Sequence, residues 1–365
     1  MEELSYTKTN ERNYGVDLLR ILSMLMVVIL HVLIHGGVID GCVKFSAKYY
    51  SASFLEISAY CAVNVFAMIS GYVLVCKNVQ YKKIISLWGT VLFYSAGILL
   101  LFKFIPFFGL AQNISKKDLL NSFFPVITER YWYFTKYVGM FFFIPFINKL
   151  LNSLEKKEYE LLCLIIMILF SIFPLIRLND YDPFLIYSGF STVWLTCMYI
   201  IGGFIKKYPP AISKKKCILL FFVSVFCTWF SKLMSHIIAK AVFGKNDYEL
   251  DLFTKYTSIF IIFSGIAIFM LFSQLKIENF KVKKIILLLS KLSFSVYLIH
   301  EHWLVRASFI KDRFNFLAEE NILVLPIKVI YYAILIFSFC ILIDFFRYFI
   351  FTASKSFYRR NIRDN

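Results

Sequence analysis

The sequence predicts an all-α, polytopic integral membrane protein with about ten transmembrane helices, and three observations carry that reading. Of its 365 residues, 59% are hydrophobic and 17% charged, with a mean hydropathy of +0.70, too apolar a balance for a water-exposed surface. Apolar runs of roughly 20 residues, the length a helix needs to span hydrocarbon, recur along the whole chain. Basic residues gather in short clusters between those runs.

The expected spans lie at about 16–37, 54–75, 84–107, 131–151, 159–176, 187–205, 216–234, 256–273, 285–305 and 324–346. The first apolar run, Leu18 to Ile39, is too long for a signal-peptide core and carries Arg20 and His31, so it is expected to stay in the mature protein. The second contains the small pair Ser70 and Gly71, which lets another helix approach closely. An aromatic stretch, Tyr131-Trp132-Tyr133-Phe134, opens the fourth; it fits an interfacial belt, and stacked rings also make sugar platforms. Segments 159–176 and 216–234 are the least distinct as separate spans. Residues 1–365 therefore read as one membrane domain with short tails at about 1–14 and 348–365 and no appended soluble domain.

A net charge of +17 would suggest nucleic acid in a soluble protein, but here positive loops facing cytoplasm explain it better. The termini and even-numbered loops hold the excess of Lys and Arg, including Lys214, Lys215 and Lys216, then Lys281, Lys283 and Lys284, then Arg359, Arg360 and Arg363. Both termini are accordingly expected in the cytoplasm. Two longer outward loops, roughly 108–130 and 235–255, are long enough to cover a substrate groove. The 42 Phe and 23 Tyr suit hydrocarbon and headgroups, and the eight Cys, without a CxxC pair, read as small core residues. No repeat relates the two halves, unlike many secondary transporters.

Ionisable groups inside a bilayer are expensive, which directs attention to the first span. Eleven residues separate Arg20 from His31, so on a helix they share a stripe about 16 Å long. Asp17, three residues before Arg20, falls on the same stripe. Arg20 near the inner headgroups suits phosphate oxygens, and a deeper neutral His31 suits taking a proton from a hydroxyl. The same pattern is compatible with Arg20 snorkelling to the interface and His31 bonding a neighbouring helix. His35 follows His31 at metal-ligand spacing without an evident third ligand, so no metal site is expected and a polar lining role is the better reading.

A second group lies at Ser293 to Trp303, where Tyr297, His300 and Glu301 share a helical face. A Glu beside two His could orient an imidazole or a sugar hydroxyl; an interfacial belt of Tyr, His and Trp is the competing reading. Glu56, Lys103, Lys136, Lys291 and Asp344 are the other ionisable residues at membrane depth or its edges.

Asp17-Leu18-Leu19-Arg20 with His31 eleven positions on resembles the opening of the acyltransferase 3 family of membrane O-acyltransferases. Phe66 to Tyr72, Tyr131 to Pro145 and Ser293 to His300 are similar to that family in the same order, so the resemblance covers nearly the whole chain. It implies a ten-helix fold, acetyl-coenzyme A as donor substrate with no permanently bound cofactor, and a sugar hydroxyl as acceptor, as in bacterial capsule and lipopolysaccharide O-acetyltransferases. It maps the paired catalytic Arg and His onto Arg20 and His31. Where some members carry closely spaced arginines in the third span, this chain has Tyr81-Lys82-Lys83-Ile84-Ile85, leaving Lys82 and Lys83 as point-charge donor contacts beside Arg20.

The expectation is therefore an O-acyltransferase of the bacterial plasma membrane that moves an acetyl group from acetyl-coenzyme A to a cell-surface polysaccharide or its lipid-linked precursor. Asp17, His35, Tyr297, His300 and Glu301 are the expected lining of the acceptor side. A transporter or flippase of lipid-linked sugars, using the polar stripe as a path, is the alternative; a sugar-chain polymerase would need larger outer loops than these.

Overall fold

The computed structural model describes residues 12–105, 114–176, 182–244 and 253–363, with side chains for all of these except 175–176, 243 and 352–363. Helix makes up 78% of it, and no strand occurs among the described residues. Helix α1 (Tyr14–Leu33) leads through the single turn α2 (Val38–Gly41) to α3 (Ala47–Tyr60) and α4 (Ala62–Leu74). Next come α5 (Lys82–Phe104), the short α6 (Lys116–Phe123) and α7 (Trp132–Ser153). Helix α8 (Lys156–Met167) passes through a π-helical turn, Ile168–Ile172, into α9 (Phe173–Ile176), and α10 (Thr192–Lys207) follows. The C-terminal part comprises α11 (Lys214–Phe243), α12 (Ile259–Ser273), α13 (Phe280–His300), the three-residue α14 (Trp303–Val305) and α15 (Val324–Arg363).

Local sequence fixes most starts. Asn13 accepts from the Val16 amide, Ser46 from Tyr49, Ser191 from Trp194, and Asn279 from both Lys281 and Val282, each satisfying donors that a helix N-terminus leaves over. Ser115 and Asp118 form a reciprocal capping box on α6.

Five stretches are long and apolar enough to cross a membrane: Tyr14–Gly41, Ala47–Leu74, Lys82–Phe104, Lys214–Val242 and Val324–Phe351. The remaining predicted segments also overlie helix but are shorter, interrupted or less apolar. Helix α12 has 15 residues and α10 has 16, α7 contains Pro145, the 159–176 segment is broken by its π turn, and α13 carries four lysines. Of the apolar stretch around α1, 67% is buried, against 28% for α11 and 22% for α15. Helix α1 is thus the axis of the bundle, and the outer helices present large apolar side chains such as Phe222, Phe226, Phe339 and Phe349 outward. That surface is stable only against hydrocarbon, and the chain is a membrane protein.

Helices α4 and α10 make the closest crossing. A Cβ on Gly71 would lie 1.9 Å from the Tyr199 carbonyl oxygen, and one on Gly202 would lie 2.0 Å from that of Met68. Small residues let two backbones meet where lipid supplies no hydrophobic drive between helices. All eight cysteines are free thiols, five of them buried.

Several ionisable groups flagged from sequence find partners. Asp344, fully buried on α15, accepts from Tyr94 of α5 at 2.6 Å and pairs with Arg347 one turn on. Glu56 faces Lys232 at 3.9 Å, and Lys136 pairs with Glu129 at 2.8 Å.

Candidate active site

Helices α1 and α13 run parallel along their length, joined by polar contacts at both ends. At one end Asp17, buried, accepts from Arg12 Nε and Nη2 and from Arg20 Nη1 at 2.9 Å, and Arg20 Nη1 also donates to Ser290 Oγ at 2.9 Å. The Ser290 hydroxyl lies 3.1 Å from Asp17 Oδ1 and closes the group. Two guanidiniums on one carboxylate leave a net positive charge there, a setting that favours an anion.

At the other end His31 Nδ1 lies 2.8 Å from His300 Nε2 and 3.2 Å from Glu301 Oε2. The proton positions follow from the partners. His300 Nδ1 sits against the Val296 carbonyl oxygen, which can only accept, so that nitrogen carries the proton. In a neutral ring His300 Nε2 is then an acceptor, and His31 must donate from Nδ1. His31 Nε2 keeps its lone pair and has no hydrogen-bond partner among the described residues.

His31, His35 and Glu301 line a cavity of about 350 Å³. Its remaining wall is mostly aliphatic and aromatic, including Met24, Val27, Phe66, Trp132, Tyr133, Phe190, Tyr256 and Tyr297. Arg306 also lines it and pairs with Glu301 Oε1 at 2.5 Å, so the carboxylate is held between a guanidinium and the His31 ring. The His35 ring centroid lies 4.8 Å from that of His31.

Local folding puts these groups together. Helix α13 ends at His300, five residues earlier than the expected span limit near 305, because His302 leaves the helical conformation (φ −55°, ψ 128°) and accepts the Leu304 amide as the cap of α14. That break turns Glu301 back towards α1, and His302 Nε2 meets the Ser95 carbonyl on α5. Tyr131 Oη donates to the Leu298 carbonyl at 3.0 Å and fixes the start of α7 against α13.

The residues expected from sequence therefore fall into separate places. Arg20 and Asp17 form the inner polar group, while His31, His35, Tyr297 and Glu301 line the cavity and His300 stands behind His31. Lys82 and Lys83 are exposed on the first turn of α5, and their side chains make no hydrogen bond or ion pair among the described residues. Arg12, Ser290 and Arg306 were missed. Arg306 carried a signal, a charge breaking an apolar run at the end of a predicted span; Ser290 carried none.

One donor atom from each of His31, His300 and Glu301 lies within 4.8 Å of the others, a set chemically able to hold a cation. The two ring nitrogens are 2.8 Å apart, closer than the ~3.3 Å between two nitrogens on one tetrahedral zinc, and they bond each other. An ion would require the rings to part.

A family model described as an acyltransferase domain, that of the acyltransferase 3 family, matches residues 13–345. No curated protein and no solved structure matches the chain.

Proposed function

The chain belongs to the acyltransferase 3 family, and from that premise we propose that it is a membrane O-acetyltransferase in which His31 is the general base. The observation that carries this reading is the tautomer of His31: its Nδ1 proton is donated to His300 with Glu301 Oε2 3.2 Å away, which leaves the Nε2 lone pair for the cavity that His31 lines.

The donor is acetyl-coenzyme A and the acceptor a hydroxyl of a cell-surface polysaccharide or its lipid-linked precursor. The inner group of Arg12, Asp17 and Arg20, with its surplus positive charge, receives the donor's phosphates. Lys82 and Lys83 add point charges on that side. The helical distance from Arg20 to His31 is about 16 Å, a reach suited to an extended carrier arm. The aromatic wall of the cavity supports a sugar acceptor, since ring faces stack on carbohydrate C–H groups.

In the reaction the acceptor hydroxyl gives its proton to His31 Nε2 as its oxygen attacks the thioester carbon. The tetrahedral intermediate collapses, the C–S bond breaks, and the thiolate takes the proton back from the imidazolium. Glu301, held by Arg306, stabilises that imidazolium. On this reading the protein lies in the bacterial plasma membrane with about ten crossings, and its basic loops support cytoplasmic termini.

Comparison of surface glycans by NMR and mass spectrometry, with and without the gene, tests the reading. Loss of O-acetyl groups on deletion, restored by wild-type protein and not by His31→Ala, is expected; unchanged acetylation would overturn it.

A further inference from the structure

One cationic side chain on the wall of the His31 cavity carries more donors than the protein uses. Arg306 lines that cavity and reaches Glu301 Oε1 through Nη1 at 2.5 Å, with 40% of its side chain exposed. A guanidinium holds five N–H donors in a planar fork, and the remaining ones have no hydrogen-bond partner among the described residues. Holding Glu301 takes one donor and one charge, which a lysine would supply, so the pair alone does not account for an arginine here.

The backbone around Arg306 fixes its place. It opens a π-helical turn, Arg306–Ile310, closed by the Lys311 amide on the Arg306 carbonyl at 2.8 Å. Beyond that turn the Asp312 N–H donates to the His35 carbonyl at 3.0 Å, and the Phe314 N–H to that of Gly36 at 3.0 Å. These two bonds tie the segment carrying Arg306 to the end of α1, and so hold it relative to His31. Glu301 is the one carboxylate among the described residues on the cavity wall, and the Arg306 charge offsets its own. No net negative charge is left there to repel an anion. A single carboxylate, Glu301, separates the guanidinium from the His31 ring, so a group on Arg306 and a hydroxyl on His31 Nε2 can belong to the same or the adjoining sugar residue.

We propose that Arg306 binds a carboxylate on the acceptor, which makes the acceptor an acidic glycan and Arg306 the residue that selects it. The inference rests on the acyltransferase reading of the cavity. A carboxylate matches the planar fork through two parallel N–H···O bonds, and the sugars that carry one are the uronic and ulosonic acids. That bond, with the aromatic wall against the ring, fixes which hydroxyl meets His31 Nε2.

The test compares two forms of one acceptor: oligosaccharide from the producing cell's surface glycan, native or with its carboxyl groups reduced to hydroxymethyl groups. Purified full-length protein in lipid nanodiscs transfers labelled acetyl from acetyl-coenzyme A, and the readout is the ratio of kcat/KM for the native and reduced forms. Wild type should favour the native form roughly 10- to 100-fold, the range for a hydrogen bond to a charged group. Arg306→Gln should lower kcat, because Glu301 loses its partner, and bring the ratio to within about twofold of one. Arg306→Lys restores a charge beside Glu301 and with it most of kcat, yet its ratio should stay well below wild type because the fork is absent. Isothermal titration of both forms without donor gives the same ratio for a variant that turns over too slowly. A wild-type ratio near one overturns the inference, as does a native glycan with no carboxyl to reduce. A ratio that Arg306→Gln leaves unchanged overturns it too, since Arg306 would then only position Glu301. Loss of transfer on removing phosphate from the glycan, with carboxyl reduction harmless, would assign the anion to phosphate and overturn the carboxylate. If wild-type protein transfers to neither form, the acyltransferase reading fails, an outcome distinct from failure of Arg306 alone.

Discussion

His31 Nδ1 and His300 Nε2 stand 2.8 Å apart across α1 and α13, and the backbone carbonyl of Val296 behind His300 dictates which of them carries the shared proton. One carbonyl thereby sets the tautomer of the ring that faces the cavity. The consequences can be measured residue by residue.

His300→Phe removes the acceptor that holds the His31 proton on Nδ1. With the tautomer and ring orientation released, kcat should fall about 10²-fold, the lower end of what general-base catalysis supplies. Steady-state thiol release from acetyl-coenzyme A, at matched protein levels, reads this out.

Glu301→Gln keeps the size of the side chain and removes its charge. The His31 imidazolium would lose its counter-charge and Arg306 its partner, so kcat should drop by at least about tenfold while KM for the donor stays near wild type. A donor-KM effect without a kcat effect would place Glu301 in binding instead.

Arg20→Lys preserves charge and loses the planar guanidinium, whose Nη1 bridges Asp17 and Ser290 and whose other donors remain for an anion. KM for acetyl-coenzyme A should rise several-fold, with a smaller change in kcat. Isothermal titration with coenzyme A gives the same answer without turnover.

Gly71→Val puts a branched side chain where a Cβ alone would lie 1.9 Å from the Tyr199 carbonyl oxygen. Because both neighbours are backbone, α4 and α10 must separate, costing roughly 1–3 kcal/mol or more. A lower melting temperature in detergent, with the variant still inserted, is expected.

Asp344→Ala leaves Arg347 without its carboxylate and Tyr94 without its acceptor in the layer between α5 and α15. Removing one partner of a buried pair costs about 3–5 kcal/mol, less here because the Arg347 side chain is 18% exposed. Cell accumulation and thermal unfolding should both fall, whereas Asp344→Asn should retain most of the stability.

The helical class and the first span were legible because hydrophobicity at spanning length and costly intramembrane charges are local properties of the chain. Arg20 and His31 could be placed on one stripe from helix geometry alone, and Asp17 was correctly expected beside Arg20. What α1 packs against was not legible. Ser290 looks like any helix serine, and only the parallel placement of α13 puts it beside Arg20. The break at His302 was hidden for a similar reason, since an apolar run continues past it and only its own cap ends the helix. Glu301 and Arg306 meet because of that break, which is why the sequence suggested the Glu and missed the Arg.

The most direct measurement is transfer of the labelled acetyl group of acetyl-coenzyme A to the producing cell's surface glycan by purified wild-type and His31→Ala protein in nanodiscs. The account predicts transfer by wild type and a loss of at least about 10²-fold in His31→Ala with coenzyme A still bound. Transfer by His31→Ala at the wild-type rate would contradict it.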